Sequence, residues 1–290
     1  MRLLRAGHRV TVLTTTAGIA EFADRRDPVE RTVDGVKVVY SPLRFVPRLY
    51  LAPQLLEGLG ATRPDVIHSH GLFLLPGIQA YRLAKSLSVP SIVSPRGMLM
   101  RRAISSRNEL LKLTAISSLE WARLRESALH FTSTFELAES MRTGAALGSS
   151  SVVPLGIDLP SVDPLPPQFR VGYLGRIAAE KNLESLIEAC VIAKVPLRIA
   201  GEINTPYGEQ LREQAGDEVR FVGRVEPKDR NQFFREVSVV ALPSLFESFG
   251  NAAAEALSAG RPVIVSRTTG IAEYVAGGRA GLLVGVGAHD

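Results

Sequence analysis

Two glutamates, Glu247 and Glu255, stand eight positions apart on either side of Gly250. Before them Leu242-Pro243 closes a strand pattern. Ser244 to Phe249 read as a loop, and Gly250-Asn251 open a run of small residues that reads as a helix up to Gly260, a glycine of the kind that stops helices. A helix start presents free backbone N–H groups and about half a unit of positive charge, which suits a diphosphate. Gly250 would let a phosphate approach the backbone closely. Glu255 falls about one turn into the helix and Glu247 on the loop, so the two carboxylates could accept hydrogen bonds from two different sets of sugar hydroxyls.

A second segment, Val171-Gly172-Tyr173-Leu174-Gly175-Arg176, runs a strand into a glycine turn and continues through Glu180-Lys181-Asn182-Leu183 into a helical pattern. It places Arg176 and Lys181 to meet an anion from one side. No Asp-x-Asp pair stands on a suitable loop, so a metal-free mechanism is expected. Gly201 and Val225, each just past a strand pattern, are weaker candidates that ordinary strand-end geometry explains equally well. In the first half, Asp65-Val66-Ile67-His68-Ser69-His70 sets two histidines on one face of a strand, with His70 nearer the loop. A structural role for them stays open, while a metal pair would need a third ligand that is not near in sequence. Ser94-Pro95-Arg96-Gly97 comes after the next strand.

These groups need strands to carry them. Short β-branched runs alternate with helical patterns almost throughout, which implies an α/β chain with parallel sheets covered on both faces. Strands are expected at 10–14, 36–40, 66–68, 91–94 and 129–132, then at 171–174, 197–200, 219–222, 237–242, 262–265 and 281–284. Helical patterns cover 81–87 and 108–125. Four prolines within 160–167 forbid a helix and favour an extended connector. The expectation is two doubly wound, Rossmann-like domains, 1–163 and 164–290, facing a cleft at the carboxyl ends of their sheets. Such a domain normally opens with a strand and a glycine turn, whereas this sequence starts inside a helix and stops soon after Val284. Truncation at both ends is therefore expected.

Length and composition are those of a globular chain: 290 residues, 46% hydrophobic and 22% charged, with no apolar run long enough to span a bilayer. One cysteine, Cys190, excludes an intramolecular disulfide and fits a reducing, cytoplasmic setting. The net charge of +5 is uneven: residues 1–163 hold 20 basic and 14 acidic residues, 164–290 hold 14 and 15. The densest basic part contains Arg96, Arg101, Arg102, Arg107, Lys112, Arg123 and Arg125, interleaved with Met98, Leu99, Met100 and Trp121. A solvated helical face explains it, and so would peripheral contact with an anionic membrane or a phosphorylated acceptor. No nucleic-acid partner is expected, since only 6% of residues are aromatic and no recognition module is spaced along the chain.

The two glutamates, the proline-ended strand before them and the small-residue helix running to Gly260-Arg261-Pro262-Val263 resemble the signature of glycosyltransferase family 4, retaining enzymes of the two-domain GT-B fold. Gly175-Arg176, Glu180-Lys181-Asn182, Thr132-Ser133-Thr134-Phe135-Glu136 and Val153-Pro154-Leu155-Gly156-Ile157-Asp158 match further landmarks. The sequence departs from the pattern at Arg96, where many relatives have histidine, at Leu155, where most have asparagine, and after Gly201, the only glycine it keeps of a usual Gly-x-Gly turn.

The resemblance implies sugar transfer from a nucleoside diphosphate sugar to a hydroxyl of a glycan or lipid-linked acceptor, with retained configuration. It needs neither cofactor nor protein nucleophile. Glu255 would hold the ribose and Glu247 the donor sugar. Arg176 and Lys181 would stabilise the leaving diphosphate near Gly175, Gly250 and Asn251, and the backbone at Val225 would touch the base. His70 would sit near the reacting carbon, with Arg96 on the sugar or acceptor side. A non-catalytic nucleotide-binding homologue and an epimerase of the same architecture stay open, whereas a phosphorylase would need a pyridoxal-phosphate lysine for which no motif stands.

Overall fold

The computed structural model describes residues 2–22, 24–43, 52, 54–56, 63–106, 108–159 and 162–286. Arg107 of the basic segment, Pro160 and Ser161 of the connector and the last four residues lie outside the described residues. The chain forms two compact units, one made of Met1–Phe131 and Ser140–Ser151, the other of Thr132–Glu139 and Val152–Asp290. The described part of the proline-rich connector thus belongs to the second unit. The buried guanidinium of Arg261 holds it there, donating from Nη2 to the carbonyls of Asp163 at 2.7 Å and Pro164 at 3.0 Å.

In the first unit β1 (Thr11–Thr15) runs parallel to β3 (Val36–Ser41), and β2 (Val29–Val33) adds to β3 antiparallel. The β2–β3 turn is Asp34-Gly35, both at positive φ, which matches the twist of a tight hairpin. A second sheet has the order β4 (Ile67–His70), β5 (Ser91–Ser94), β6 (Ala128–Phe131), β7 (Ser150–Val152), with β4, β5 and β6 parallel. β2 and β7 were not among the expected strands. The helix expected over 108–125 is two helices, Glu109–Ser118 and Trp121–Glu126. They break at Glu120, whose carboxylate turns inward to accept the Phe73 N–H at 2.7 Å.

The second unit is one sheet in the order β10 (Val219–Gly223), β9 (Leu197–Ala200), β8 (Val171–Leu174), β11 (Val239–Leu242), β12 (Val263–Ser266), β13 (Gly281–Val284), parallel throughout. Its central strands are buried over their whole length at β8 and β11, as a parallel sheet covered by helices on both faces requires. The order in which strands are added reverses between β8 and β11, and such a switch point opens a crevice beyond the carboxyl ends of the two strands.

Candidate functional site

Both strands at the switch point deliver chemistry. Beyond β8, Gly175 closes onto β9 through its N–H to the Ala200 carbonyl at 2.9 Å. The fit needs two glycines: a Cβ on Gly201 would lie 2.3 Å from the Gly175 carbonyl oxygen, and one on Gly175 2.8 Å from the Tyr173 hydroxyl. Tyr173 donates its hydroxyl to the Arg176 carbonyl at 2.7 Å, and burial, then the charge of Glu247, pushes its pKa up, so the donor keeps its proton. The Arg176 side chain is 77% exposed and pairs with Glu180 at 3.0 Å. A short turn, Ala179–Lys181, then ends at left-handed Asn182, which also opens the helix Leu183–Ala193.

That turn aims Lys181 inward. Its side chain is 8% exposed, and Nζ stands 2.5 Å from Oε2 of Glu247 on the loop after β11. A buried ammonium costs several kcal/mol unless paired, and Glu247 is the pair. Glu247 is itself fixed by its backbone: its N–H donates to Thr268 and its carbonyl accepts from Gly270, both at 3.1 Å. Leu245 N–H donates to the Glu180 carbonyl at 2.9 Å, tying the two loops together. The loop is also held from Thr132–Glu139, where Ser133 Oγ donates to the Ser248 carbonyl at 2.6 Å.

The helix Asn251–Ser258 opens at Gly250, with φ +110 and no side chain capping its first turn. A Cβ at Gly250 would meet Ile271 and Leu242 at 3.1 Å, so the tight entry into the helix is a glycine's. The second unit thus brings Gly175, Arg176, Lys181, Glu247, Gly250 and Asn251 to the ends of two adjacent strands. Glu255 carries a partner that the sequence did not announce. Arg230, first residue of the helix Arg230–Arg235, contacts both of its carboxylate oxygens from Nη1 at 2.5 and 2.6 Å. Val225, beyond β10, is half-buried against the core.

A separate cluster lies at the carboxyl ends of β4, β5 and β6 in the first unit. Ser94 Oγ bridges His68 Nε2 at 2.7 Å and His130 Nδ1 at 2.8 Å, and Arg96 Nε donates to His70 Nδ1 at 3.3 Å. Partial burial, then the neighbouring His70, His130 and Arg96, lowers the pKa of His68 to about 4. Burial and then Arg96 also lower that of His70. His130 was not anticipated: it occupies β6, and only the strand order reveals that it faces the same cluster. Beneath lies a fully buried ion pair, Arg123 Nη1 to Glu120 Oε2 at 2.9 Å. Arg123 Nη2 reaches Ser69 Oγ and the Gly71 carbonyl, both at 3.0 Å. Gly77 makes room, since a Cβ there would fall 2.6 Å from the guanidinium. Among the described residues no group of three His, Cys, Asp or Glu is placed to hold a metal ion.

The family pattern described as "Glycosyl transferases group 1" matches residues 168–290, and that described as "Glycosyl transferase 4-like domain" matches residues 2–156. The chain is 27% identical to the sulfoquinovosyl transferase SQD2 of Arabidopsis thaliana over 95% of its own length, and spans 56% of that relative. Its structure is similar to that of sucrose-phosphate synthase from Thermosynechococcus elongatus, with a TM-score of 0.75 and 22% identity over 98% of this chain and 77% of the other. Anabaena HepE in complex with UDP and glucose is similar as well, with a TM-score of 0.68 and 19% identity over 87% and 73% of the two chains. At these identities the structural likeness is one of fold, the GT-B α/β architecture. Matched along both halves by patterns of one kind, the chain belongs to the group 1 glycosyltransferases, with a glycosyl transferase 4-like first half.

Proposed function

We propose that the chain transfers a sugar from a nucleoside diphosphate sugar to an acceptor hydroxyl, with retention and without a metal ion. One observation carries the reading: the contact between Lys181 and Glu247, beside the uncapped helix start at Gly250, on the two strands that flank the switch point. Lys181 keeps two further N–H donors after serving Glu247. In the proposal they, Arg176 and the N–H groups after Gly250 receive the leaving diphosphate, supplying the positive charge a metal would otherwise bring. Gly175 lets the diphosphate come close to the turn after β8, and Asn251 offers the first helical N–H. Glu247 orients the donor sugar, Glu255 holds the ribose and the Val225 backbone borders the base. His70, whose pKa is lowered by burial and then by Arg96, is assigned with Arg96 to the sugar side on the family resemblance alone. Retention rests on the family resemblance, and the UDP and glucose held by the Anabaena relative support the donor class.

The acceptor in this reading is a glycan or a lipid-linked sugar, met on the cytoplasmic side of a membrane. No helix among the described residues is long and apolar enough to cross a bilayer. Peripheral contact is supported by the exposed apolar residues of the helices Glu109–Ser118 and Trp121–Glu126. Leu110 is 80%, Leu111 68% and Trp121 44% exposed, with the Arg125 guanidinium 4.9 Å above the Trp121 ring.

Calorimetric titration with UDP, GDP and ADP, with and without EDTA, tests the donor site. The expected result is binding of one nucleotide that survives EDTA and is weakened about ten-fold or more in Lys181→Ala and Glu255→Ala. A folded chain that binds none of the three would overturn the assignment.

A further inference from the structure

We infer that Arg230 is a positioning residue of the nucleotide site, holding the Glu255 carboxylate in the orientation from which it accepts the ribose hydroxyls; this rests on the donor site proposed above. The helix positions that face Glu255, three and four residues away, are Asn251, Ala252, Ser258 and Ala259, all too small to confine a three-torsion side chain. Left to itself the carboxylate would sample several rotamers, and ordering it on binding would cost affinity. Arg230 removes that freedom. A single nitrogen, Nη1, spans both oxygens at 2.5 and 2.6 Å, which anchors the position of the carboxylate. A carboxylate offers about four acceptor positions. Nη1 takes one on each oxygen, and the Glu255 side chain is a quarter exposed.

The contact is also partly withdrawn from solvent, the Arg230 and Glu255 side chains being 37% and 25% exposed. Arg230 Nε is buried and has no hydrogen-bond partner. The two residues lie 25 positions apart, and the contact exists only because the helix after β10 and the helix after β11 both start at the carboxyl edge of the sheet.

The test is calorimetric titration of UDP, and of GDP and ADP, into the wild-type chain, Arg230→Ala, Arg230→Lys, Glu255→Ala and the Arg230→Ala/Glu255→Ala double variant, with thermal melts alongside. Donor KM and kcat are then measured for whichever nucleotide binds. Arg230→Ala is expected to weaken the nucleotide about ten-fold and to raise donor KM with kcat little changed, the scale of one charge-assisted hydrogen bond. Arg230→Lys should recover part of the loss. In the Glu255→Ala background, removing Arg230 should add less than about two-fold. If Arg230→Ala binds as wild type while Glu255→Ala does not, Arg230 plays no part although the ribose role of Glu255 stands. Equal weakening in both backgrounds would likewise overturn the inference, leaving a general structural effect. If Glu255→Ala binds normally, the ribose reading itself fails and the inference with it.

Discussion

Lys181 and Glu247 lie 66 positions apart in sequence and 2.5 Å apart in space, one on the turn after β8 and the other on the loop after β11. Each is the other's reason for being tolerated with little solvent. Replacing Lys181 by Ala should lower kcat/KM by about 10² to 10³, equivalent to roughly 2–4 kcal/mol, on the scale of electrostatic donors aimed at a developing charge. Glu247→Gln, which keeps the shape, should retain nucleotide binding and lose turnover with the sugar donor. Steady-state kinetics beside nucleotide titration would separate the two; unchanged turnover in Lys181→Ala would remove the central claim.

The glycines at the same edge predict stability effects of different size. Gly201→Ala places a Cβ 2.3 Å from a backbone oxygen that cannot move without parting β8 from β9. Gly250→Ala meets only side-chain carbons at 3.1 Å but carries φ +110. Denaturant titration should show a loss of about 1–3 kcal/mol for Gly250→Ala and a larger one for Gly201→Ala. The reverse order would mean that the backbone strain at Gly250 outweighs the crowding at Gly201.

The histidine cluster predicts a direction with pH. His68 takes up its proton near pH 4 in the folded chain but near 6.5 when unfolded, because burial and the neighbouring His70, His130 and Arg96 disfavour its charge. Between those values the unfolded chain holds more protons, so folded stability should fall as pH drops from about 6.5 to about 4. Proton NMR should find the His68 ring neutral at pH 6, and His68→Gln should flatten the pH dependence of the melting temperature. A ring titrating at its ordinary value would contradict the cluster's geometry.

Arg123 and Glu120 form the heaviest single dependency of the first unit. Removing one partner leaves a buried charge, and Arg123→Ala should cost about 3–5 kcal/mol. It should also free the segment after β4, since Ser69, Gly71 and, through Glu120, Phe73 all depend on the pair. Hydrogen exchange at Phe73 N–H would report that release even where the melt is only modestly shifted.

Much of this arrangement was legible in the residues. β5, β8, β9 and β13 have the bounds their short apolar runs announced; at β8 and β9, in the middle of the sheet, burial on both faces puts the signal in composition alone. β2 was missed although its cue was present: Asp34-Gly35 between Val-rich alternations is a hairpin signal, hidden by an expectation of parallel strands. β7 has three residues, two of them serine, and no period to read. In the site, residues within local motifs could be named: Lys181, Glu247, Gly250. Arg230 and His130 belong to no motif, and only pairing across the sheets brings them to Glu255 and His68. The two-helix form of 108–125 was equally hidden, since Glu120 breaks the pattern by what it binds in space.

Thr132–Glu139 packs with the second unit while the residues on both sides of it belong to the first. Anyone building a chimera, to graft one relative's second half onto another's first, would naturally cut at the prolines. Such a hybrid would carry a foreign Ser133 beneath its own Ser248 carbonyl and Gly270, where a Cβ would already lie 2.4 Å from the Ser133 oxygen. The portable piece is discontinuous: residues 132–139 must travel with the second half, or be matched to it, for the loop bearing Glu247 to keep its seat.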